Sequence, residues 1–137
     1  MKKVFFYCLF SISILFAHGI KIEAPVKKEF EEVYSTVESQ SFPKKIYWLN
    51  GAPGAGKGLF GPKIIEVLGL YKEPIVVSDL LKSPGAKALI DQGKLVGNKE
   101  VSTLLYEELT DPKYKEGVIV DGYPRSNEQA QFLLLLK

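Results

Sequence analysis

Residues 51–58 read Gly-Ala-Pro-Gly-Ala-Gly-Lys-Gly, with four residues between Gly51 and Gly56 and with Lys57 directly after the second of these glycines. The preceding residues 46–49, Ile-Tyr-Trp-Leu, have the apolar, β-branched and aromatic composition of a buried strand. The residues that follow can begin a helix. Strand, glycine-rich loop and helix form the order of a phosphate-binding loop, in which backbone N–H groups surround anionic oxygens. We therefore predict phosphate binding here, with Lys57 directed at the outer phosphates. The alternative is an ordinary glycine-rich turn.

The size and composition of the chain fit one folded domain. It has 137 residues, of which 46% are hydrophobic and 25% are charged. A chain of this length can bury a modest core, and this balance is typical of globular proteins rather than disordered ones.

The first 19 residues have the pattern of an export signal. Lys2 and Lys3 form a basic start, residues 4–17 are almost entirely apolar, and Ala17-His18-Gly19 places small residues where a signal peptidase reads them. We expect an exported protein, periplasmic or tethered to the membrane by this segment alone, with a cytoplasmic protein as the alternative. A buried first strand and an uncleaved anchor are the other interpretations of the segment itself.

Removal of the predicted signal would change the chemistry of the chain. It takes away two of the 18 basic residues and none of the 16 acidic ones, so the remainder is electrically neutral and gives no indication of a nucleic-acid surface. Cys8 and His18, the single cysteine and the single histidine, lie in the same segment. The remainder therefore has no disulfide, no thiol or imidazole catalyst and no Cys/His metal site.

The rest of the chain alternates between predicted helices and strands. In a linker at 20–44, apolar residues at helical spacing predict a helix packed on the domain; they are Phe30, Val33, Tyr34 and Val37. Residues 46–49, 74–77 and 117–121 predict three strands, the last apolar on both faces as in a covered parallel sheet. Pro62 predicts that the helix after the loop is kinked or starts late. Asn98 is a candidate cap for a later helix.

Two polar residues near the end of the third strand indicate further chemistry. Asp121 is placed at the carboxyl end of that strand, where a carboxylate beside a phosphate loop can hold Mg²⁺ through water. Arg125 is the only arginine among 18 basic residues, and its planar guanidinium can grip a phosphate in two places. The alternative for Arg125 is a surface salt bridge.

These motifs together resemble the adenylate kinases and closely related nucleoside monophosphate kinases. Residues 51–58 match the family's Gly-x-Pro-Gly-x-Gly-Lys-Gly loop, and residues 121–125 with Gln129 match its Asp-Gly-Phe/Tyr-Pro-Arg motif. Residues 91–96 resemble its monophosphate-binding segment. The resemblance covers residues 45–137. It implies an α/β fold, with a P-loop NTPase-type parallel sheet between helices, and transfer of the terminal phosphoryl group of ATP to AMP with Mg²⁺. A monomer is favoured.

The resemblance also implies roles for individual residues. Lys57, Asp121 and Arg125 would be catalytic, and Asp79 would help Asp121 with Mg²⁺. ATP would be bound by Gly54, Ala55, Gly56, Lys57, Gly58 and Leu59. AMP would be bound by Lys82, Lys94, Leu95, Val96, Gly122, Tyr123, Pro124, Arg125 and Gln129. Gln129 has an alternative, because Ser126 and Gln129 have the spacing of a capping box in which the glutamine returns to the Ser126 N–H.

The chain also departs from the family pattern. Leu59 stands where the family has threonine, Val77 replaces a hydroxyl residue that contacts the acceptor, and Lys82 replaces an arginine. The acceptor-binding part, about 79–109, is several residues short. The sequence ends soon after the third strand and its helix, so about three strands are expected, without the lid arginines and the last strands. A nucleotide-binding module without catalysis, a gene fragment and another small P-loop kinase are the alternative interpretations.

Overall fold

Helices and strands alternate along the chain. The computed structural model describes residues 6–8, 22–35, 37, 41–92 and 97–136. The strands are β1 (Phe6–Cys8), β2 (Ile46–Leu49), β3 (Ile75–Val76) and β4 (Val118–Asp121). The helices are α1 (Ala24–Ser35), α2 (Lys57–Leu68), α3 (Val77–Leu80), α4 (Pro84–Asp91), α5 (Asn98–Leu109) and α6 (Asn127–Leu135), with a 3-10 turn at Pro112–Tyr114.

The strands form one parallel sheet in the order β1-β2-β4-β3. Its two central strands are buried on both faces, with Ile46, Tyr47 and Trp48 in β2 and residues 118–120 in β4 all below 9% exposure. Parallel strands are buried in this way because helices cover both faces of the sheet. The predicted α/β class and the three predicted strands are therefore confirmed.

Alternate side chains of the sheet enter two separate cores. Ile46, Trp48, Val118 and Val120 belong to the larger core with α1, α5 and α6. Tyr47 and Ile119 point to the opposite face, where Ile65 of α2 covers them. This alternation follows from the two-residue period of a strand.

Helix α1 confirms the helix predicted in the linker. It buries Val26, Phe30 and Val33 in the larger core, and the Phe30 ring contacts Phe132 of α6 edge-on with centroids 5.8 Å apart. At its start, the N–H of Glu23 donates to Oε1 of the buried Gln131 at 2.9 Å. Residues before the phosphate loop thus complete the main core.

Helix α2 begins directly at the end of the glycine-rich loop. It runs from Lys57 through Pro62 to Leu68, so the prediction of a late start is wrong. Pro62 lies in the second turn of α2 and so removes the intrahelical hydrogen bond to the carbonyl of Gly58. A kink remains a prediction.

Strand β1 lies inside the segment predicted to be an export signal. Phe6–Cys8 pairs with β2 in parallel, with Cys8 opposite Trp48. The structure thus contains the strand alternative named for this segment, whereas the cleavage position after Gly19 lies outside the described residues. Of the helices in the described ranges, none is both long and apolar enough to cross a membrane.

The connections before and after β2 have opposite hands. From β1 to β2 and from β2 to β3 the chain steps in the same direction along the sheet, yet α1 and α2 lie on opposite faces. The step from β3 back to β4 carries α5 on the face opposite α2 and so has the same hand as the β2–β3 connection. Such connections are right-handed in about 98% of cases.

Candidate phosphate-binding site

The glycine-rich loop has the backbone that its sequence requires. Gly56, at the N-terminus of α2, has φ 82°, and a Cβ there would lie 3.1 Å from Cε2 of Phe60. Gly54 has φ 81°. The loop therefore turns tightly into α2, where the first N–H groups of a helix lack intrahelical partners and favour an anion.

Lys57 lies over its own loop. Its Nζ donates to the carbonyl oxygens of Gly51 at 2.8 Å and Ala52 at 3.3 Å. None of the ion pairs among the described residues includes Lys57. The ammonium group is held by neutral carbonyls, and no described carboxylate neutralises its charge, which is therefore suited to a phosphate.

A cavity of about 390 Å³ opens beside this lysine. Its lining combines loop backbone with apolar side chains, and comprises Leu49, Asn50, Gly51, Ala52, Ala55, Lys57, Phe60 and Ile64. Leu59 is not part of the lining and is 67% exposed. It offers no hydroxyl to a ligand.

The carboxyl edge of the sheet brings Asp121 to the loop. In the sheet register Asp121 is opposite Leu49 of β2 and Val76 of β3, so it lies between the ends of these two strands. Asn50 Nδ2 donates to the carbonyl of Pro124 across this edge. The two sequence motifs, 74 residues apart at this contact, therefore meet in one place.

Arg125 is exposed and is held close to its own backbone. Its Nε donates to the carbonyl of Gly122 at 2.8 Å. Gly122 has φ 88°, and a Cβ there would lie 2.6 Å from Nη2 of Arg125. The ion pairs of the described residues do not include Arg125, which gives no support to the salt-bridge alternative. Among the described residues, no carboxylate forms an ion pair with its guanidinium.

Gln129 is only 5% exposed and is bonded within the protein. Ser126 Oγ accepts from the Gln129 N–H at 3.1 Å, so the predicted serine cap is present. The capping box also predicts that Gln129 Oε1 accepts from the Ser126 N–H. This prediction is wrong, because Oε1 accepts from the N–H of the preceding residue, Arg125, at 2.7 Å. Contact of Gln129 with a nucleotide base stays a prediction.

Other predicted site residues are not brought to the loop in this way. Asp79 and Lys82 bind each other at 2.9 Å on the exposed surface of the chain just after β3. Lys94, Leu95 and Val96 lie outside the described residues.

The hydrogen bonds of Tyr123 lead to Ser102 and Asn98, two residues that the sequence did not single out for the site. Ser102 Oγ donates to the carbonyl of Asn98 at 2.7 Å and lies 2.7 Å from the Tyr123 hydroxyl, from which it therefore accepts. Burial raises the pKa of Tyr123 to about 12. The Tyr106 hydroxyl is buried beside them, and desolvation raises its pKa too. Asn98 and Ser102 could have been recognised as short polar residues one turn apart in the first half of the predicted helix.

The described residues offer limited ligands for a metal. They contain no group of three or more histidine, cysteine or acidic side chains. Mg²⁺ commonly uses one or two carboxylates together with the phosphates of its ligand. Asp121, at the sheet edge beside the loop, fits that requirement.

The parallel sheet, with a glycine-rich loop between β2 and α2 at its carboxyl edge, defines an α/β domain of the P-loop type. The chain is 37% identical over 94 residues to an adenylate kinase of Nitrosococcus oceani, and the aligned region covers 62% of this chain and 42% of that protein. It is 38% identical over 92 residues to an adenylate kinase of Thermodesulfovibrio yellowstonii, covering 61% and 42%. An adenylate kinase of Rickettsia bellii is 37% identical over 91 residues, covering 60% and 42%.

The chain is therefore similar in sequence to adenylate kinases over about 60% of its length, as its motifs predicted. It spans about 42% of the length of the curated relatives that it matches. No family model matches the chain.

Proposed function

We propose that this protein is a nucleoside monophosphate kinase that transfers the terminal phosphoryl group of ATP to AMP. The observation that carries the proposal is that two segments, each carrying a cationic residue of the predicted site, are in contact at one sheet edge. The loop holding Lys57 and the segment holding Arg125 are joined by the hydrogen bond from Asn50 to Pro124. The relationship to the adenylate kinases supports ATP and AMP as the pair of substrates.

Each cation has a distinct task in this reaction. Lys57 exchanges the carbonyls of Gly51 and Ala52 for the outer phosphates of ATP, which accept stronger, charge-assisted hydrogen bonds. Arg125 keeps Nε on Gly122 and directs its terminal amines to the phosphate of AMP. Catalysis in this class consists of positioning and charge neutralisation, with no covalent intermediate on the protein.

Mg²⁺ would be held through Asp121, with the phosphates of ATP supplying its other ligands. When bound, the ion neutralises charge between the phosphates. The remaining predicted carboxylate, Asp79, would have to leave Lys82 before it could contribute.

Calorimetric titration with ATP, followed by a coupled assay with ATP, AMP and Mg²⁺, tests this function. Lys57→Ala should weaken ATP binding by about 1.5–3 kcal/mol, the range for a hydrogen bond to a charged group. Lys63→Ala is the matched control, since Lys63 is an exposed lysine on the same helix. Arg125→Lys should abolish transfer while ATP still binds. Equal ATP affinity in Lys57→Ala and the unsubstituted protein would refute the assignment of the loop.

A nucleotide-binding module without catalysis is the second candidate. Two observations favour it: exposed Leu59 gives no hydroxyl beside the phosphates, and Lys82 is paired with Asp79. The two functions separate in the same assay. Tight ATP binding with no AMP-dependent formation of ADP identifies the module.

We further propose that the protein is exported and loses residues 1–19. The basic start and the Ala17-His18-Gly19 ending support this. The intact mass of the protein recovered from each cell fraction tests it. Full-length protein in the cytoplasm would exclude export. An exported kinase would also need ATP outside the cytoplasm.

A further inference from the structure

The side chain of Asn98 joins the start of α5 to the start of α6. Its Oδ1 accepts from Ser126 Oγ at 2.9 Å and from Gln129 Nε2 at 3.1 Å. Its Nδ2 donates to Glu128 Oε2 at 3.3 Å. Asn98 was predicted to cap its own helix. Instead, it is the first residue of α5, and its amide reaches a segment about 30 residues further along the chain.

Through Gln129 this contact reaches Arg125. The amide of Gln129 is bonded at both ends, Nε2 to Asn98 and Oε1 to the N–H of Arg125. Because the two ends of an amide are chemically opposite, fixing the NH₂ on Asn98 also fixes which way the oxygen points. With Asn98 in place, Gln129 presents its acceptor to the backbone of Arg125.

A second connection holds the other side of the same segment. Ser102, one turn after Asn98, bonds the Tyr123 hydroxyl and the carbonyl of Asn98. The segment that carries Arg125 is therefore bonded to the first turns of α5 both before and after the arginine. Within the described residues the Arg125 side chain itself has one internal bond, to Gly122. Its direction thus depends on how firmly this backbone is held.

We propose that Asn98 is a positioning residue for Arg125, acting through Gln129, so that the guanidinium is already aimed when the monophosphate of AMP binds. This inference rests on the proposed function, because it takes Arg125 as the group that binds the AMP phosphate. Asn98 itself does not contact the nucleotide. Its oxygen Oδ1, rather than its amide nitrogen, carries the effect.

Three variants of the 137-residue chain separate this role from a general effect on stability. Asn98→Leu keeps a similar volume and removes every hydrogen bond of the side chain. Asn98→Asp keeps an oxygen that accepts from Ser126 and Gln129 but loses the donor to Glu128. Asn127→Leu is the control, because Asn127 is an exposed asparagine in the first turn of α6. Calorimetry gives the Kd of each protein for AMP and for ATP, and thermal melting gives its Tm.

Asn98→Leu should bind AMP about tenfold more weakly, as expected for the loss of one well-placed hydrogen bond, and should bind ATP within about twofold of the original value. Asn98→Asp and Asn127→Leu should bind AMP almost as well as the unsubstituted chain. A parallel loss of ATP affinity in Asn98→Leu would mean a general structural effect and would overturn the inference. So would unchanged AMP affinity in Asn98→Leu, or equal losses in Asn98→Leu and Asn98→Asp.

The unsubstituted chain separates this inference from the proposed function. If it binds AMP and Asn98→Leu binds AMP equally well, only the positioning role is wrong. If the unsubstituted chain binds ATP but no AMP, the proposed function fails, and the positioning role fails with it.

Discussion

Gly122 determines whether the arginine of the site can occupy its observed position. A Cβ at this residue would lie 2.6 Å from Arg125 Nη2. The backbone has φ 88°, a left-handed conformation that residues with a side chain rarely adopt. Gly122→Ala should therefore displace the guanidinium and lower the free energy of unfolding by about 1–3 kcal/mol. AMP titration and urea unfolding measure the two effects. Gly85→Ala, at a helical glycine with space for a methyl group, should change neither. Unchanged AMP affinity in Gly122→Ala would contradict this prediction.

Tyr123 should make stability depend on alkaline pH. Its pKa is raised by burial from 10.0 to about 12, so the fold favours the neutral phenol. This contribution is complete below pH 10 and is lost as the pH rises from about 10 towards 12. Urea unfolding across that range should show a shallower decline for Tyr123→Phe. At neutral pH this variant should lose about 1 kcal/mol with the hydrogen bond to Ser102. An identical decline in both proteins would contradict the assignment.

Residues of the site were predictable where their partners are close in sequence. The glycine spacing located Lys57, and the spacing from Ser126 located a true cap. The contact of Gln129 with Asn98 and that of Asn50 with Pro124 were not predictable, because the partners are 31 and 74 residues apart in the sequence. The side-chain oxygen of Gln129 accepts from the Arg125 N–H rather than from the Ser126 N–H. Its side-chain nitrogen is held by Asn98, a contact that exists only after α5 and α6 have packed together.

Among the elements, α1 makes a large contribution to the core for a helix outside the phosphate-binding motifs. Phe30 is buried against Tyr106 and Phe132. Phe30→Ala should lower the free energy of unfolding by about 3–5 kcal/mol, because it removes a large buried ring and leaves a cavity. Glu31→Ala, at an exposed position of the same helix, should change it by less than about 0.5 kcal/mol. Chemical denaturation compares the two variants. Equal stability of the two would mean that the packing of α1 on the core does not stabilise the fold.

Removal of residues 1–19 should leave the remaining elements folded. Strand β1 contributes the pairing of three residues at one edge, and the large core includes many side chains from residues after position 22. A chain of residues 20–137 should therefore keep its helical circular dichroism. Hydrogen exchange should become faster at those amides of β2 that face β1, and protection in α5 and α6 should remain. Loss of all protection would show that β1 is needed for folding.

The three strands beside the phosphate loop and the helix α1 were predictable because apolar periodicity is a local property. Strand β1 was not, because the apolar run at residues 4–17 fits both a strand and an export signal. Periodicity does not distinguish them. Whether the segment acts as a strand or as an export signal depends on whether it pairs with the edge of β2 or enters a membrane.

For the molecule as a whole, the number of arginines should limit the rate of the proposed phosphoryl transfer. Arg125 is the only arginine in 137 residues. One further arginine at the transferring group is worth about 10³–10⁵ in rate in related reactions. The 137-residue chain should therefore turn over at least about 10³ more slowly than a full-length adenylate kinase measured beside it in the same coupled assay. Comparable turnover would contradict this, once a second chain that completes the site has been excluded.

The position of β1 at the edge of the sheet has a consequence for the order of events during synthesis. Among the described strands β1 is paired with β2, and the other neighbour of β2 is β4, which leaves the ribosome about 100 residues after the end of the predicted signal. At 5–20 residues per second, the interval is roughly 5–20 s. During that time residues 6–8 have no completed sheet to join. If export machinery binds the N-terminus during this interval, it translocates an unfolded chain. If it binds later, β1 must first dissociate from the edge of a folded sheet.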